Sequence, residues 1–223
     1  MLEFFRKRKM DKPGCIDMKE KLKTQEGCVL CHFENSAVEQ YLRDLLCEKV
    51  NDLEVRKELL SGHGYCQCHA SKLLEAGDSV GTATLYLEQL QSLICDLDIV
   101  YRKRNASELK AWLAHESCPV CKYLDKHSSN FLDYFVEGLR DEEFKDNLQA
   151  GSGLCLTHLI LVLDNVSDKA QFAFIVKSHR RKYRELLMDI MEFIRKNDCR
   201  FKDENLGREK DSWQRAVKTM TRF

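Results

Sequence analysis

Two short cysteine motifs occur twice in this chain, in the same order and at nearly the same spacing. A C-x-x-C motif at residues 28–31 recurs at 118–121, and a C-x-x-H motif at 66–69 recurs at 155–158. Thiolates and imidazoles are the ligands that soft and borderline metal ions prefer. The motifs therefore supply eight candidate metal ligands, which are Cys28, Cys31, Cys66, His69, Cys118, Cys121, Cys155 and His158.

Apolar residues and glycines between the motifs recur at the same offsets. Tyr41, Leu42, Leu45 and Leu46 correspond to Phe131, Leu132, Phe135 and Val136, and Gly62 and Gly64 correspond to Gly151 and Gly153. A single one-residue deletion accounts for the change from an offset of 90 residues to one of 89. Two halves with this shared order of elements indicate an internal duplication.

The spacing of apolar residues predicts helices throughout both halves. In the first half they are expected after residue 31, over 52–61, over 66–75 and over 80–101. The last of these carries an apolar face made of Val80, Ala83, Leu87, Leu90, Ile94, Leu97 and Tyr101. No stretch alternates with the two-residue period of a strand. We therefore predict an all-α fold, a helical bundle built from two tandem four-helix repeats.

The motifs and the charge distribution divide the chain into four parts. Residues 1–25 form a basic N-terminal segment, 26–104 repeat 1, 116–197 repeat 2, and 198–223 a C-terminal docking segment. The whole chain has no net charge, so an excess of lysine and arginine at both ends leaves the middle acidic. We expect the ends to dock on this acidic middle or to be solvated helix faces, and contact with a nucleic-acid or membrane surface is the alternative. A nucleic-acid platform is not indicated, because aromatic and basic residues do not interleave.

Three cysteines and one histidine from each repeat form a Cys3His set, in which each motif brings two ligands into one turn at a helix start. We expect residues 28–31 to be completed by residues 66–69, and residues 118–121 by 155–158. A closed set of four such ligands favours structural Zn²⁺, giving two zinc sites. A 4Fe-4S cluster with one histidine ligand remains an alternative.

C-x-x-C also occurs in c-type haem attachment sites and in redox-active dithiols. The first copy continues with His32 and so matches the attachment pattern of a c-type haem, but the second copy has Lys122 at that position. A thioredoxin-like dithiol needs a βαβ setting that this sequence does not predict. Neither role explains the C-x-x-H motifs.

Several cysteines and histidines have no counterpart in the other half. We interpret Cys15, Cys47, Cys95 and Cys199 as small buried core residues. Cys68 and His63 fail the same comparison and are not predicted to be ligands. His179 lies on an apolar helix face, where a buried, hydrogen-bonded histidine is one interpretation.

The expected environment is a reducing one. Eleven cysteines in a chain whose start resembles no secretion signal favour metal ligation over disulfides and indicate the cytoplasm. No apolar run reaches the ~18 residues that would suggest a membrane span.

The chain ends in C-R-F-K-D-E-N-L-G-R-E-K-D-S-W-Q-R-A-V, residues 199–217. Together with the paired motifs, this ending resembles an uncharacterised bacterial family of unknown function. Cys199 stands where that family has an aromatic residue. The matching positions are Phe201, Asp211, Ser212, Trp213, Arg215 and Ala216. The resemblance implies a bacterial origin and the paired motifs, and it implies no activity.

Two classes of function stay open. The protein is either a non-catalytic metal-binding module that acts through protein contacts, or a redox protein with two metal centres. H-E-x-x-H and a phosphate-binding loop are missing from the sequence, which disfavours an enzyme. The ending either docks on the core, with Trp213 in a pocket, or presents Trp213 to a protein partner with Arg215 and Glu209 as polar contacts. The oligomeric state is not predicted.

Overall fold

The computed structural model describes residues 13–113, 118–201 and 203–221. Within these residues the chain forms helices and no strand, which confirms the all-α prediction. The α-helices are α1 Pro13–Thr24, α2 Val29–Asp44, α3 Leu53–Ser61, α4 Gln67–Glu75, α5 Ser79–Lys103, α6 Ser107–Ala111, α7 Pro119–Gly138, α8 Glu142–Ala150, α9 Leu156–Asn165, α10 Lys169–Lys196 and α11 Ser212–Met220. A π-helical turn, Leu45–Lys49, extends α2, and a 3-10 turn, Arg208–Asp211, precedes α11.

Aspartates start four of these helices. Asp52, Asp78, Asp141 and Asp168 are the N-caps of α3, α5, α8 and α10, and each carboxylate accepts a backbone N–H of the first turn. Asp168, for example, accepts from the amides of Ala170 and Gln171 at 2.8 and 2.9 Å. Such a cap contributes about 1 kcal/mol. Helices α3 and α5 therefore begin within one residue of their predicted starts at residues 52 and 80.

The helices form two compact units that do not coincide with the two sequence repeats. Unit 1 combines the chain up to Phe33 with the chain from Ser129 onward, and unit 2 is Glu34–Ser128. Helix α2 therefore begins in unit 1 and ends in unit 2, whereas α7 begins in unit 2 and ends in unit 1. A bundle of two tandem four-helix repeats is thus not confirmed.

Each unit has its own hydrophobic core. The core of unit 1 is formed by Met18, Leu22, Val29, Leu30, Phe135, Leu139, Phe144, Leu148, Leu154, Leu159, Val162, Val166 and Ile175. That of unit 2 is formed by Val38, Leu42, Leu45, Leu59, Leu73, Leu85, Cys118 and Val120. Burying one large apolar side chain stabilises a fold by roughly 1.5–3 kcal/mol. Both cores include residues next to the cysteine motifs.

Helix α1 docks on the acidic helix α8 within unit 1. Lys19 forms an ion pair with Asp141 at 2.7 Å and with Glu143, and Lys23 binds Glu143 at 3.1 Å. The Asn147 amide also donates to the Lys19 carbonyl at 3.1 Å. Residues 13–25 of the basic N-terminal segment thus contact the acidic middle of the chain through α8. Residues 1–12 of that segment lie outside the described part of the chain.

The C-terminal segment packs on α10 through charged groups. The buried Asp189 carboxylate accepts from Arg208 at 2.8 Å and from Arg215 at 3.1 Å. Lys196 binds Glu209, which is also buried, at 2.7 Å. Arg215 and Glu209 are thus engaged within unit 1, while Trp213 is 53% exposed and fills no pocket.

None of the described helices combines the length and the apolar character that crossing a membrane requires.

Candidate metal centres

Each of the four motifs forms the first turn of a helix, as predicted. The first cysteine of each motif directly precedes its helix, and its carbonyl accepts the N–H of the residue four positions later. These bonds measure 3.1 Å at Cys28, 2.9 Å at Cys66, 3.1 Å at Cys118 and 2.8 Å at Cys155. One helical turn brings the second ligand beside the first. The partial positive charge at a helix start also favours the thiolate form.

Centre 1 lies in unit 1, where α2 and α9 begin. It contains Cys28 and Cys31 from the first motif, and Cys155 and His158 from the last. The Nδ1 atom of His158 lies 3.4, 3.2 and 3.3 Å from the sulfurs of Cys28, Cys31 and Cys155. The sulfurs of Cys31 and Cys155 are 3.6 Å apart. Four donor atoms thus surround one small volume.

Centre 2 lies in unit 2, where α4 and α7 begin, and repeats this geometry. The Nδ1 atom of His69 lies 3.2, 3.5 and 3.3 Å from the sulfurs of Cys66, Cys118 and Cys121. The sulfurs of Cys66 and Cys121 are 3.7 Å apart. In both centres the four donor atoms all lie within 4.8 Å of one another.

The predicted pairing of the motifs was wrong. Residues 28–31 are completed by 155–158 and not by 66–69, and residues 118–121 are completed by 66–69. The cores explain this exchange. Val29 and Leu30, between the two cysteines of the first motif, are buried in the same core as Leu154 and Leu159, which flank the last motif. Val120 is buried with Leu73 in the core of unit 2. Each core thus brings together two motifs from different repeats.

The thiols of centre 1 have different pKa values because they form hydrogen bonds with one another. Hydrogen bonds from Cys28 and Cys31 lower the pKa of Cys155, and a further bond from His158 acts in the same direction. The pKa of Cys31 is raised, chiefly by its bonds to Cys155 and Cys28 and then by burial. Negative charge therefore collects first on the buried Cys155. A cation at this point would remove the repulsion that keeps the other thiols protonated.

Centre 2 shows the same contrast with a different distribution. Burial opposes ionisation of Cys118, but bonds from His69 and from the amides of Cys66 and Cys121 outweigh it and lower the pKa. Burial and the neighbouring charge of Cys118 raise the pKa of Cys121. In each centre one buried sulfur is thus the preferred thiolate.

The loop before Cys155 is held by side chains of α10. Buried His179 accepts the Leu154 N–H on Nε2 at 3.0 Å and donates from Nδ1 to the Ile175 carbonyl at 2.9 Å. This pattern makes the ring neutral, and burial together with the charge of Lys182 lowers its pKa. The Tyr183 hydroxyl donates to the Leu154 carbonyl at 3.3 Å. The interpretation of His179 as a buried, hydrogen-bonded residue is confirmed.

Lys182 completes this support by donating to the carbonyls of Gln149, at 2.8 Å, and Gly151. Gly153 has a φ of 87°, and a Cβ there would lie 2.8 Å from Lys182 Cδ and 3.3 Å from His179 Nε2. Nothing in the sequence indicated the role of Lys182, because it depends on the fold of the loop.

The loop before Cys66 is supported differently. Gly64 has a φ of 95°, and a Cβ there would lie 3.8 Å from the side-chain oxygen of Gln89, which is buried without a hydrogen-bond partner among the described residues. His63 packs edge-on against Trp112, with ring centres 4.9 Å apart. The Trp112 indole donates to Asp96 at 2.8 Å. Gln89 and His179 each lie eleven residues after the N-cap aspartate of their helix, which is Asp78 or Asp168, so they occupy corresponding positions in the two units. This correspondence is present in the sequence but was not predicted.

The remaining cysteines correct one prediction. Cys15 is buried as expected, but Cys47, Cys95 and Cys199 are exposed and do not serve as core residues. Cys68 is exposed and belongs to neither centre. His32 also lies outside centre 1, although it follows Cys31 directly.

Residues 77–81 read G-D-S-V-G and match the G-x-S-x-G pattern of serine hydrolases. That pattern requires a turn between a strand and a helix, whereas this stretch joins helices α4 and α5. The Asp78 carboxylate caps α5 by accepting the Gly81 N–H at 2.9 Å. Ser79 is the exposed first residue of that helix. The match is therefore a capping sequence and not a nucleophile elbow.

The sequence model of one family of unknown function, DUF6062, matches residues 11–223. The chain belongs to this family. The resemblance carried by the paired motifs and the D-S-W-x-R-A ending is thereby confirmed. In the DUF6062 family, as its description states, the function is unknown.

One relative is an uncharacterised 23.9 kDa protein encoded in the xynA 3′ region of Caldicellulosiruptor sp. strain Rt8B.4. It is 27% identical to this chain over 185 residues, which cover 79% of this chain and 85% of the relative. No solved structure matches the chain.

Proposed function

We propose that centres 1 and 2 each bind one Zn²⁺ ion and that the protein is a zinc-stabilised module acting through protein contacts. One observation carries this proposal. In both centres a histidine Nδ1 lies 3.2–3.5 Å from three sulfurs, and the sulfurs of Cys31 and Cys155 and of Cys66 and Cys121 lie 3.6 and 3.7 Å apart.

These distances match the edges of a zinc tetrahedron. Zn–S bonds of about 2.3 Å and Zn–N bonds of about 2.0–2.1 Å separate two sulfurs by ~3.8 Å and a sulfur from a nitrogen by ~3.6 Å. Zn²⁺ neutralises adjacent thiolates when it is bound. In each centre the four donor atoms belong to residues in the first turns of two helices, and these turns are anchored in a hydrophobic core.

The same distances argue against the alternative, a 4Fe-4S cluster. Such a cluster binds each of its four protein ligands to a different iron, so its ligands surround a body of eight atoms. Donor atoms that all lie within 4.8 Å of one another leave room for a single ion.

A structural role follows from the ligand count. Catalytic zinc sites keep one position open for water or substrate, whereas four protein ligands close the coordination shell. Each centre joins two segments far apart in sequence, which is the arrangement expected of a metal that stabilises a fold. We place the protein in the cytoplasm, because reducing conditions keep thiol ligands available.

Metal analysis with an absorption spectrum tests this proposal. Protein purified without oxygen should be colourless and contain about two zinc ions, one for each centre. A brown protein with broad visible absorption and matching iron and sulfide would contradict the zinc assignment and support the cluster.

Chelation tests the structural role. Removing zinc from the wild-type protein should lower its thermal midpoint, whereas a variant with Cys66→Ala and Cys155→Ala should already be destabilised and respond little. The variant Cys47→Ser changes an exposed cysteine outside both centres and serves as the control. Equal chelator sensitivity of the wild type and the ligand variant would contradict a stabilising role for the metal.

A further inference from the structure

Helix α5 carries an apolar stripe that its own unit does not cover. Six side chains on this stripe are between 46% and 85% exposed: Val80, Leu87, Leu90, Ile94, Leu97 and Tyr101. Ala83 is exposed on the same face. At 1.5 Å per residue the stripe is roughly 30 Å long. Soluble monomers rarely expose contiguous apolar patches larger than a few hundred Å², so such a stripe marks an interaction surface.

The opposite face of α5 makes the contacts with unit 2. Leu85 is buried in the core, and Gly81 and Gln89 are buried beside it. Two acids also face the unit, since Glu88 pairs with Arg56 and Asp96 accepts from Trp112. The folding of unit 2 therefore uses one side of α5 and leaves the apolar stripe outward.

The outward face is nearly free of charge. From Val80 to Tyr101, a stretch that the structure describes completely, Asp98 is the one charged residue in the exposed class. A solvated helix face normally carries several charges. Depletion of charged residues and enrichment of aromatic ones distinguish the centre of a protein interface from ordinary surface.

The spacing of the stripe specifies what covers it. Its residues alternate between steps of three and four from Val80 to Tyr101, which is the seven-residue repeat of a coiled coil rather than the wider face of a helix in a globular core. Val80, Leu87, Ile94 and Tyr101 occupy a positions, and Ala83, Leu90 and Leu97 occupy d positions. Two of the four a residues are β-branched and two of the three d residues are leucine, a pattern closer to a two-stranded, parallel pair of helices than to the larger assemblies that isoleucine at d favours.

We propose that α5 pairs with the α5 helix of a second copy of this chain, forming a homodimer through this seam. A two-fold pair places identical stripes against each other, so a single self-complementary surface is sufficient. Because Asp98 is the only exposed charged residue from Val80 to Tyr101, no repeating charges along the stripe oppose the pairing of two copies. The dimer does not depend on which metal occupies the two centres.

The molar mass of the full-length, metal-loaded protein tests this proposal. Light scattering coupled to size exclusion should give about twice the chain mass of 26.1 kDa for the wild type. Leu90→Asp or Tyr101→Asp puts a charge into the seam and should raise the dimer dissociation constant at least ~10-fold. Both side chains are exposed in the single chain, at 57% and 85%, so these variants should fold and retain their metal.

Leu53→Asp is the matched control, because Leu53 is 67% exposed in unit 2 but lies on α3. It should leave the dimer intact. A monomeric wild type overturns the proposal. A dimer that persists in both seam variants, with metal content and helicity unchanged, also overturns it. The same holds if Leu53→Asp weakens the dimer as much as the seam variants do. If Leu90→Asp alone loses its metal, the result for Tyr101→Asp decides.

Discussion

The two units build the same kind of centre but support it with different side chains. In unit 1 the loop before the C-x-x-H motif is bound by His179, which is neutral and hydrogen-bonded on both ring nitrogens. In unit 2 the corresponding position, eleven residues after the N-cap aspartate of the long helix, is Gln89, whose buried oxygen has no hydrogen-bond partner among the described residues. The donor geometry is nevertheless the same.

This difference indicates which features determine the centre. Both centres have two helix starts, a buried sulfur and motif residues anchored in a core. The polar support of the loop varies, so it contributes stability to one unit without defining the positions of the ligands. The comparison can be tested by substituting corresponding residues in the two units.

Removing a histidine ligand should have the largest effect and should be confined to one unit. His158→Ala leaves three thiols around centre 1, and His69→Ala does the same in centre 2. Loss of a structural metal belongs among the mutations that cost more than about 4 kcal/mol. Hydrogen exchange should accelerate in α9 and α10 for His158→Ala and in α4 and α5 for His69→Ala. Equal acceleration in both units by either variant would remove the distinction between them.

His179→Leu should cost more than Gln89→Leu. The first change leaves the buried Leu154 N–H without an acceptor, a loss of roughly 1–3 kcal/mol. The second removes a carbonyl oxygen that has no hydrogen-bond partner among the described residues, so its cost should stay below about 1 kcal/mol. Denaturant unfolding with metal present measures both. Equal costs would mean that the polar bond of His179 has no special role.

Alanine at the two left-handed glycines refines this comparison. Gly153→Ala and Gly64→Ala both force a side chain into positive φ, at a cost of about 1–2 kcal/mol. Gly153→Ala must also displace Lys182, whereas nothing lies closer than 3.8 Å to a Cβ at residue 64. Thermal unfolding should show the larger loss for Gly153→Ala. The reverse order would contradict the tighter support of centre 1.

The smallest effect is a pH dependence in unit 1. Burial lowers the pKa of His179 in the folded protein, so the unfolded chain binds a proton more readily below its usual value of 6.5. The wild type should therefore lose up to about 1 kcal/mol more than His179→Gln as the pH falls from about 7.5 to about 5.5. Unfolding curves at these two pH values measure the difference, in which the shared contribution of the metal ligands cancels. Parallel pH dependences would exclude this contribution.

Local features of the fold could be predicted because they depend on neighbouring residues. The start of each motif helix follows from the motif itself and the apolar spacing after it, and aspartate caps define α3 and α5. The eight cysteines and histidines that form the two candidate centres were recognisable because their motifs recur. The grouping of the motifs was not, because either C-x-x-C can meet either C-x-x-H, and the choice depends on which apolar residues share a core.

The outward stripe of α5 illustrates the same limit. Its apolar spacing predicted a helix correctly, but spacing alone does not state whether an apolar face meets its own core or another chain. Cys95 was predicted to be a core residue because free cysteines are commonly buried, but it is exposed on α5.

Zinc content of two double variants tests the exchange of motifs between the repeats most directly. Cys28→Ser with Cys155→Ser changes two ligands of centre 1, whereas Cys28→Ser with Cys66→Ser changes one ligand in each centre. After dialysis against a chelator that strips incomplete sites, the first variant should retain one zinc ion per chain and the second almost none. Cys47→Ser with Cys199→Ser should retain both. One zinc ion in the second variant and almost none in the first would contradict the exchanged centres.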